Sequence, residues 1–450
     1  MNKADLYYQK MTKTPVVKLV VALGIPTTIS MLITNIYNLV DTYFVGTLGE
    51  SQQAAVGVLF TLQCIIQSIA FMLGHGSGTY VSKCLAQKDT NESSMYVSSA
   101  FFVGLVFSIL FSITGLIFLA PFCKLLGSTN TILPYAKEFG FWILLACPFI
   151  TCSLIINNNL RYEGKAIFAM VGLVTGGVLN IFGDFYFIKI LNMGVRGAGL
   201  ATCLSQIISF FILFILYYKK AQSKIRIKYV TKKFKNYLDI CRVGLPSLIR
   251  QGLSSISNGI LNNLAKPFGD AAIAAISVVN RFSSFIMSVS LGCGQGFQPV
   301  SAFNYQAKEY KRVKQALVVS LVIGISIITI FSLVGLIIPD KIIWLFQKNN
   351  DVIKIGSFGL RAAAIGLLFL PFSVNANMLF QSIRKTKQAS FLALLRSGLA
   401  FIPIIVLFSR LFGLNGILVS QPLADVISGL ISIPFILHFI YKTPNEKENI

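Results

Sequence analysis

The sequence predicts an all-α membrane protein, with twelve transmembrane helices in two pseudo-symmetric six-helix lobes. Three observations carry that expectation. Apolar runs of about 20 residues recur along nearly the whole 450-residue chain, which is 55% apolar and only 12% charged, with a mean hydropathy of +0.73. The second half repeats the first at an offset of 220 residues. The basic residues collect on one side of the membrane.

The apolar runs fall at 16–44, 53–80, 93–119, 133–157, 166–190 and 198–218, then at 237–265, 272–300, 314–337, 353–379, 389–409 and 416–441. The first is too long for a signal peptide and lacks a small-residue cleavage site, so no cleavable leader is expected. With the N-terminus inside, Lys3 to Lys18, Lys219 to Lys235, Lys308 to Lys314 and Arg384 to Lys387 all lie on the cytoplasmic side. An even number of spans returns the C-terminus there, giving a multi-pass plasma-membrane protein. The net charge of +23 invites a nucleic-acid reading. Its one-sided distribution excludes that and makes anionic lipid headgroups the expected partner. The eight cysteines are scattered through apolar runs without metal-ligand spacing and read as buried small hydrophobes.

The repeat superposes Gly24-Ile25-Pro26 on Gly244-Leu245-Pro246, Gly49-Glu50 on Gly269-Asp270, and Ala54-Ala55 on Ala274-Ala275. Gly74 and Gly76 fall on Gly294 and Gly296, and Lys88-Asp89 on Lys308-Glu309. Six spans per half preserve orientation, so the repeat is parallel. The expected domains are an N-terminal lobe over 1–218, a polar cytoplasmic linker over 219–236 and a C-terminal lobe over 237–450.

The chemistry is one-sided. In the first span Thr34, Tyr37, Asn38 and Asp41 share one helical face, and Pro26 upstream removes a backbone hydrogen bond and can bend the helix. A carboxylate at such depth costs several kcal/mol in lipid, so Asp41 is expected to face an interior, where it titrates or binds a cation. Asn180 and Asp184, four residues apart in the fifth span, point the same way, and Thr202 in the sixth offers a hydroxyl. Two carboxylates, an amide oxygen and a hydroxyl suit a hard cation such as sodium, or a pair of carboxyls sharing protons. The position matching Asp41 in the second half is Leu261.

These residues carry a resemblance. Gly24-Ile-Pro26 with Asn38-Leu-Val-Asp41-Thr-Tyr-Phe-Val-Gly46, Asn180-x-x-x-Asp184 and Gly194-x-x-Gly197-Ala-x-x-Ala-Thr202 come from the first half. Gly292-x-Gly294-Gln-Gly296-x-x-Pro299 and Asn304-Tyr-x-Ala-Lys308 come from the second. Together they resemble the multidrug and toxic compound extrusion (MATE) family, in its DinF-like and MepA-like branch. The resemblance implies a V-shaped pair of six-helix bundles that exports organic cations in exchange for inward Na+ or H+. It places the coupling site at Asp41, Asn180, Asp184 and Thr202, the hinge at Pro26, and drug-cavity positions at Tyr37 and Asn157. Thr34, Ser153 and Gln206 occupy further cavity positions with side chains of this chain's own. The second-lobe acids of the NorM-like branch are missing. No cofactor beyond the coupling ion, no enzymatic activity and no oligomer are expected.

Other polar residues in the spans are read more plainly. His75 is expected to pack through hydrogen bonds, Asp425 to brace helices, and Arg161 to Lys165 to form a solvated inner loop. The role of Arg250 is left open. A lipid-linked oligosaccharide flippase of similar layout is the alternative function. It would want a cationic cleft, for which only Arg250, Arg281, Arg361 and Arg396 are candidates, and the paired acids argue against it. A membrane-embedded transferase lacks its acidic metal motif, and a channel lacks a symmetric ring of pore-lining groups.

Overall fold

The protein is described by a computed structural model over residues 3–444; positions 1–2 and 445–450, which belong to the expected lobes 1–218 and 237–450, lie outside the described residues. Nearly every described residue is helical, and no strand occurs among them. The first half holds α1 (Lys3–Lys13), α2 (Val16–Gly46), α3 (Glu50–Ala86), α4 (Thr90–Ile117), the short α5 (Leu119–Leu125), α6 (Leu133–Tyr162), α7 (Ala166–Asp184) and α8 (Gly194–Lys220). The second holds α9 (Phe234–Ala265), α10 (Asp270–Gln306), α11 (Tyr310–Ile337), α12 (Pro339–Phe346), α13 (Asn350–Leu367), α14 (Leu370–Ser382), α15 (Thr386–Leu394) and α16 (Phe401–Lys442).

Among the described residues nine helices are long and apolar enough to cross a membrane, and α13 with α14, bent by 44°, make a tenth. One of the nine, Thr386–Lys442, is 57 residues long, far more than one bilayer needs. It breaks at Gly413, whose φ of 57° and ψ of −132° are open to glycine, and so supplies the last two spans. Helix α9 falls short of that apolar test because Lys235, Arg242 and Arg250 and the Ser, Asn and Gln residues after them dilute its apolar character, but it occupies the place in the second repeat that α2 holds in the first. The fold is thus the expected all-α membrane fold of two six-span repeats.

The repeat is written in the backbone as well as the sequence. Left-handed residues recur at the offset of 220 in Gly49 and Gly269, Lys88 and Lys308, and Gly164 and Arg384, and at 219 in Gly194 and Gly413. Two of those pairs contain no glycine at one or both positions, so turn geometry, not residue type, has been kept.

The chain packs as two compact units. One comprises the residues through Tyr8 together with Ile29–Gln251, the other Gln9–Thr28 together with Gly252 onward. Helices α2 and α9 therefore each change unit part-way, just after Pro26 and Pro246. Proline cannot donate to the carbonyl four residues back, which weakens each helix near the change.

In the first unit α3, α6 and α8 surround a core of Leu59, Leu62, Phe139, Ile143, Leu144 and Ala198. The first part of α9 joins it where backbones nearly touch. A Cβ on Gly76 would collide with the Ile240 carbonyl oxygen, and one on Gly244 with that of Met72. Polar contacts fix the crossing. Arg161 donates to His75 Nε2 at 3.3 Å and also to Asn158 Oδ1, while Ser247 Oγ meets His75 Nδ1 at 2.9 Å. Since guanidinium only donates, Nε2 must accept, and the ring carries its proton on Nδ1. The second unit mirrors the close approach: a Cβ on Gly296 would strike Gly24, and one on Gly292 would strike Thr28.

The turn Arg161–Lys165 corrects the solvated-loop expectation. Arg161 is 4% exposed and Glu163 fully buried. Glu163 accepts backbone N–H groups from Gln222 at 2.6 Å and Ser223 at 3.1 Å, which compensate its desolvation. Those donors belong to the 219–236 segment, which lies along α4. Ser94 Oγ accepts from Lys224 N, Ser98 Oγ from Arg226 N and Ser99 Oγ from Thr231 N, and Ser93 pairs with Ser223. A polar stretch that reads as a linker is a strap bound into the first unit.

Candidate cation-binding site

The site is assembled in the first unit by α2, α7 and α8. On α7, Gly177, Asn180 and Asp184 lie three and four residues apart and share a face. Gly177 lacks a side chain where the rings and methyls of α2 arrive: a Cβ there would sit 3.0 Å from both Tyr37 Cδ1 and Ile33 Cγ2. That close approach brings Asp41, one turn beyond Tyr37, towards Asp184, so the two carboxyl groups are electrostatic neighbours. From α8, Thr202 Oγ1 accepts a hydrogen bond from Asn180 Nδ2 at 3.1 Å. Directly after Asp184 the helix widens into a π-helical stretch over Phe185–Ile190, a geometry common at functional sites.

Electrostatically the site is acidic and buried. Asp184 is fully buried, Asn180 is 2% exposed and Thr202 9%. Among the described residues, Asp41 Oδ1, Asn180 Oδ1 and both carboxyl oxygens of Asp184 are buried without a hydrogen-bond donor. Two ionised carboxylates cannot donate to each other, and among the described residues no lysine or arginine pairs with either. An orphaned buried acceptor costs about 1–3 kcal/mol, more for a charge, which makes these four oxygens candidate ligands for a cation or a proton. The donors available are oxygens only. No cluster of three His, Cys, Asp or Glu suited to a transition metal occurs among the described residues.

The further residues expected at a cavity are placed as follows. Thr34 Oγ1 bonds its own helix at Ser30 O, 2.8 Å away. Ser153 is buried on α6 with its hydroxyl unpartnered, and Gln206 is half-buried on α8. Asn157 commits its amide to Ala169 O on α7 at 2.9 Å, joining α6 to α7. Pro26 lies within α2, in the part that belongs to the second unit. Two features escape a reading of the sequence: buried Glu163, and the pairing of Arg396 with Asp425 at 2.7 Å. Two unusual charges within apolar spans are the only signal of the second.

The profile of the MatE family matches residues 26–186 and 246–407, most of both repeats. The chain belongs to the MatE family. MatE proteins are membrane transporters, not enzymes. The chain is similar to the multidrug export protein MepA of Staphylococcus saprophyticus, at 25% identity over 96% of this chain and 95% of that one. It is equally similar to MepA of Staphylococcus aureus, again 25% identical over 96% and 95%. Among solved structures it resembles a MATE protein crystallised in complex with MaL6, with a TM-score of 0.89 at 24% identity, covering 98% of this chain and 100% of that one. That likeness establishes a MatE fold of two repeats along essentially the whole chain.

Proposed function

We propose that this MatE transporter exports cationic, amphipathic organic compounds from the cytoplasm in exchange for inward Na+ or H+, by alternating access. The observation that carries the reading is the presence in one unit of two acids, Asp41 and Asp184, with buried carboxyl oxygens that have no donor, beside the hydrogen-bonded pair Asn180 and Thr202. The similarity to proteins named for multidrug export supports the substrate class. In this mechanism the ion loads between the two carboxylates, and α2 rearranges about Pro26 to displace the bound drug. Tyr37 holds aromatic cations by stacking and cation–π attraction. Thr34, Ser153 and Gln206 contact the drug, and Asn157 shapes the cavity wall through its bond to α7. Coupling follows because drug and ion do not bind well to the same state. The transporter works as a monomer in the plasma membrane, with both termini cytoplasmic and anionic lipids around its basic loops.

The test is ethidium efflux from proteoliposomes under separately imposed sodium and pH gradients, with Asp41→Asn and Asp184→Asn beside the wild type. Efflux driven by one gradient and lost in both variants is expected, and names the ion. Folded protein whose efflux ignores both gradients, or both acids, would overturn the reading.

A further inference from the structure

The second repeat keeps a polar pocket at part of the ion site's counterpart, although Asn180 and Asp184 are matched there by Leu399 and Pro403. Leu261 stands at the position matching Asp41. At the offset of 219 that superposes Gly194 on Gly413, Gln421 matches Thr202 and Asp425 matches Gln206. In the second unit these three residues meet around a narrow cavity of about 30 Å3, room for about two waters. Asn280 and Ser283 add polar groups to its wall, and Asp425 is the one charged residue among those that line it.

Unlike the carboxylates of the first unit, Asp425 is fully satisfied. Arg396 Nε donates to Oδ1 at 2.7 Å and Nη2 to Oδ2 at 3.4 Å, and Gln421 Nε2 donates to Oδ1 at 2.9 Å. Arg396 comes from the π-helical stretch Leu395–Ala400 of the eleventh span, and Asp425 from the twelfth. A guanidinium held in two-point contact with a carboxylate 4% exposed does what a mobile ion would otherwise do there.

We propose that Arg396 is a built-in cation of the second unit, paired with Asp425 at a pocket that shares the positions of Leu261 and Gln421 with the ion site of the first. It keeps Asp425 closed to mobile ions, so that ion binding is confined to the first unit. With the guanidinium removed, Asp425, Gln421, Asn280 and Ser283 form an oxygen-lined pocket of the right size for one sodium ion or a proton. The inference goes beyond the transport reading, because it concerns binding in the second unit and can fail while coupling at Asp41 and Asp184 stands.

The test uses the purified full-length protein as wild type, Arg396→Gln and Arg396→Gln/Asp425→Asn. Thermal unfolding is followed against sodium, with choline holding ionic strength constant, and separately against pH. Arg396→Gln is expected to melt below the wild type and to regain stability with added sodium or at lower pH. The doubly neutral variant should lack that extra response. The arm that restores stability distinguishes sodium from protons. An Arg396→Gln protein that responds no more than the double variant, or that fails to fold in sodium and in acid, would overturn the proposal and leave Arg396 a brace. A second measurement needs no change at Arg396: 22Na+ binding and proton release are measured on Asp41→Asn/Asp184→Asn. No bound ion is expected to remain, and a residual ion lost on adding Asp425→Asn would overturn the proposal independently.

Discussion

The side-chain amide of Asn157 donates to the carbonyl oxygen of Ala169 at 2.9 Å, and 220 residues on Asn377 donates to Ala389 at 2.7 Å. The same bond joins consecutive spans in both repeats, across the tight turns that hold Gly164 and Arg384 in left-handed conformation. Both amides are buried, so truncation removes a hydrogen bond that water cannot replace. Asn157→Ala and Asn377→Ala are each expected to cost about 1–3 kcal/mol, read in denaturant unfolding of the purified protein. Because that bond also shapes the cavity wall, Asn157→Ala should lower ethidium affinity modestly, whereas Asn377→Ala should leave it unchanged. A large loss of affinity at unchanged stability would make the amide a drug contact.

Neutralising either acid removes a charged oxygen ligand, worth about 1.5–3 kcal/mol. Asp41→Asn and Asp184→Asn should therefore weaken coupling-ion affinity by about tenfold to a hundredfold, measured by isothermal titration. Thr202→Val removes only a neutral oxygen and should cost less than either. Equal losses in all three would mean that the variants act by disturbing the packing of α7 on α8.

Gly76 and Gly296 hold corresponding close helix approaches in the two units, against Ile240 and Gly24. A single methyl there forces backbone apart. Gly76→Ala and Gly296→Ala should each destabilise by about 1–3 kcal/mol, seen as a lowered melting temperature and lower yield from membranes. Gly252→Ala, where a Cβ meets nothing within 4 Å, is the control and should melt with the wild type or slightly above it.

Burial raises the Glu163 carboxyl above its ordinary value of 4.5, and the N–H groups of Gln222 and Ser223 pull it part of the way back. The folded state then holds this proton more tightly than the unfolded chain does. The group's contribution to stability is present below the unfolded value and is lost as pH rises through the folded one. Glu163→Gln keeps an acceptor for the strap and removes the titration. Melting temperatures of the two proteins should converge in acid, and the variant's should fall less as pH rises from about 4.5 towards neutrality. Parallel curves would show that the carboxyl does not titrate in that window.

Much of this molecule is legible in the amino-acid sequence alone. Asp41, Asn180, Asp184 and Thr202 stand out because a polar group in an apolar run has few inexpensive reasons to be there. The repeat is legible because Gly and Pro positions encode turns and close approaches that tolerate little substitution. What stays hidden depends on pairing across space. Hydropathy marks where α2 and α9 are but not which unit each half packs against. Glu163, next to Arg161 and Lys165, has the composition of a wet turn, and only the strap folding over it supplies donors for its burial. Arg396 and Asp425 lie on different spans, so each alone suggests a different role.

The exchange of half-helices makes each half of the chain dependent on the other. A chain cut between α8 and α9 would leave the Gly76 groove of α3 bare, and the other fragment would lack the segment that fills the groove at Gly296. Neither fragment would be a finished domain. Each unit is finished only by a segment drawn from the opposite half of the chain, so the halves are separate in sequence but not separable as folded pieces.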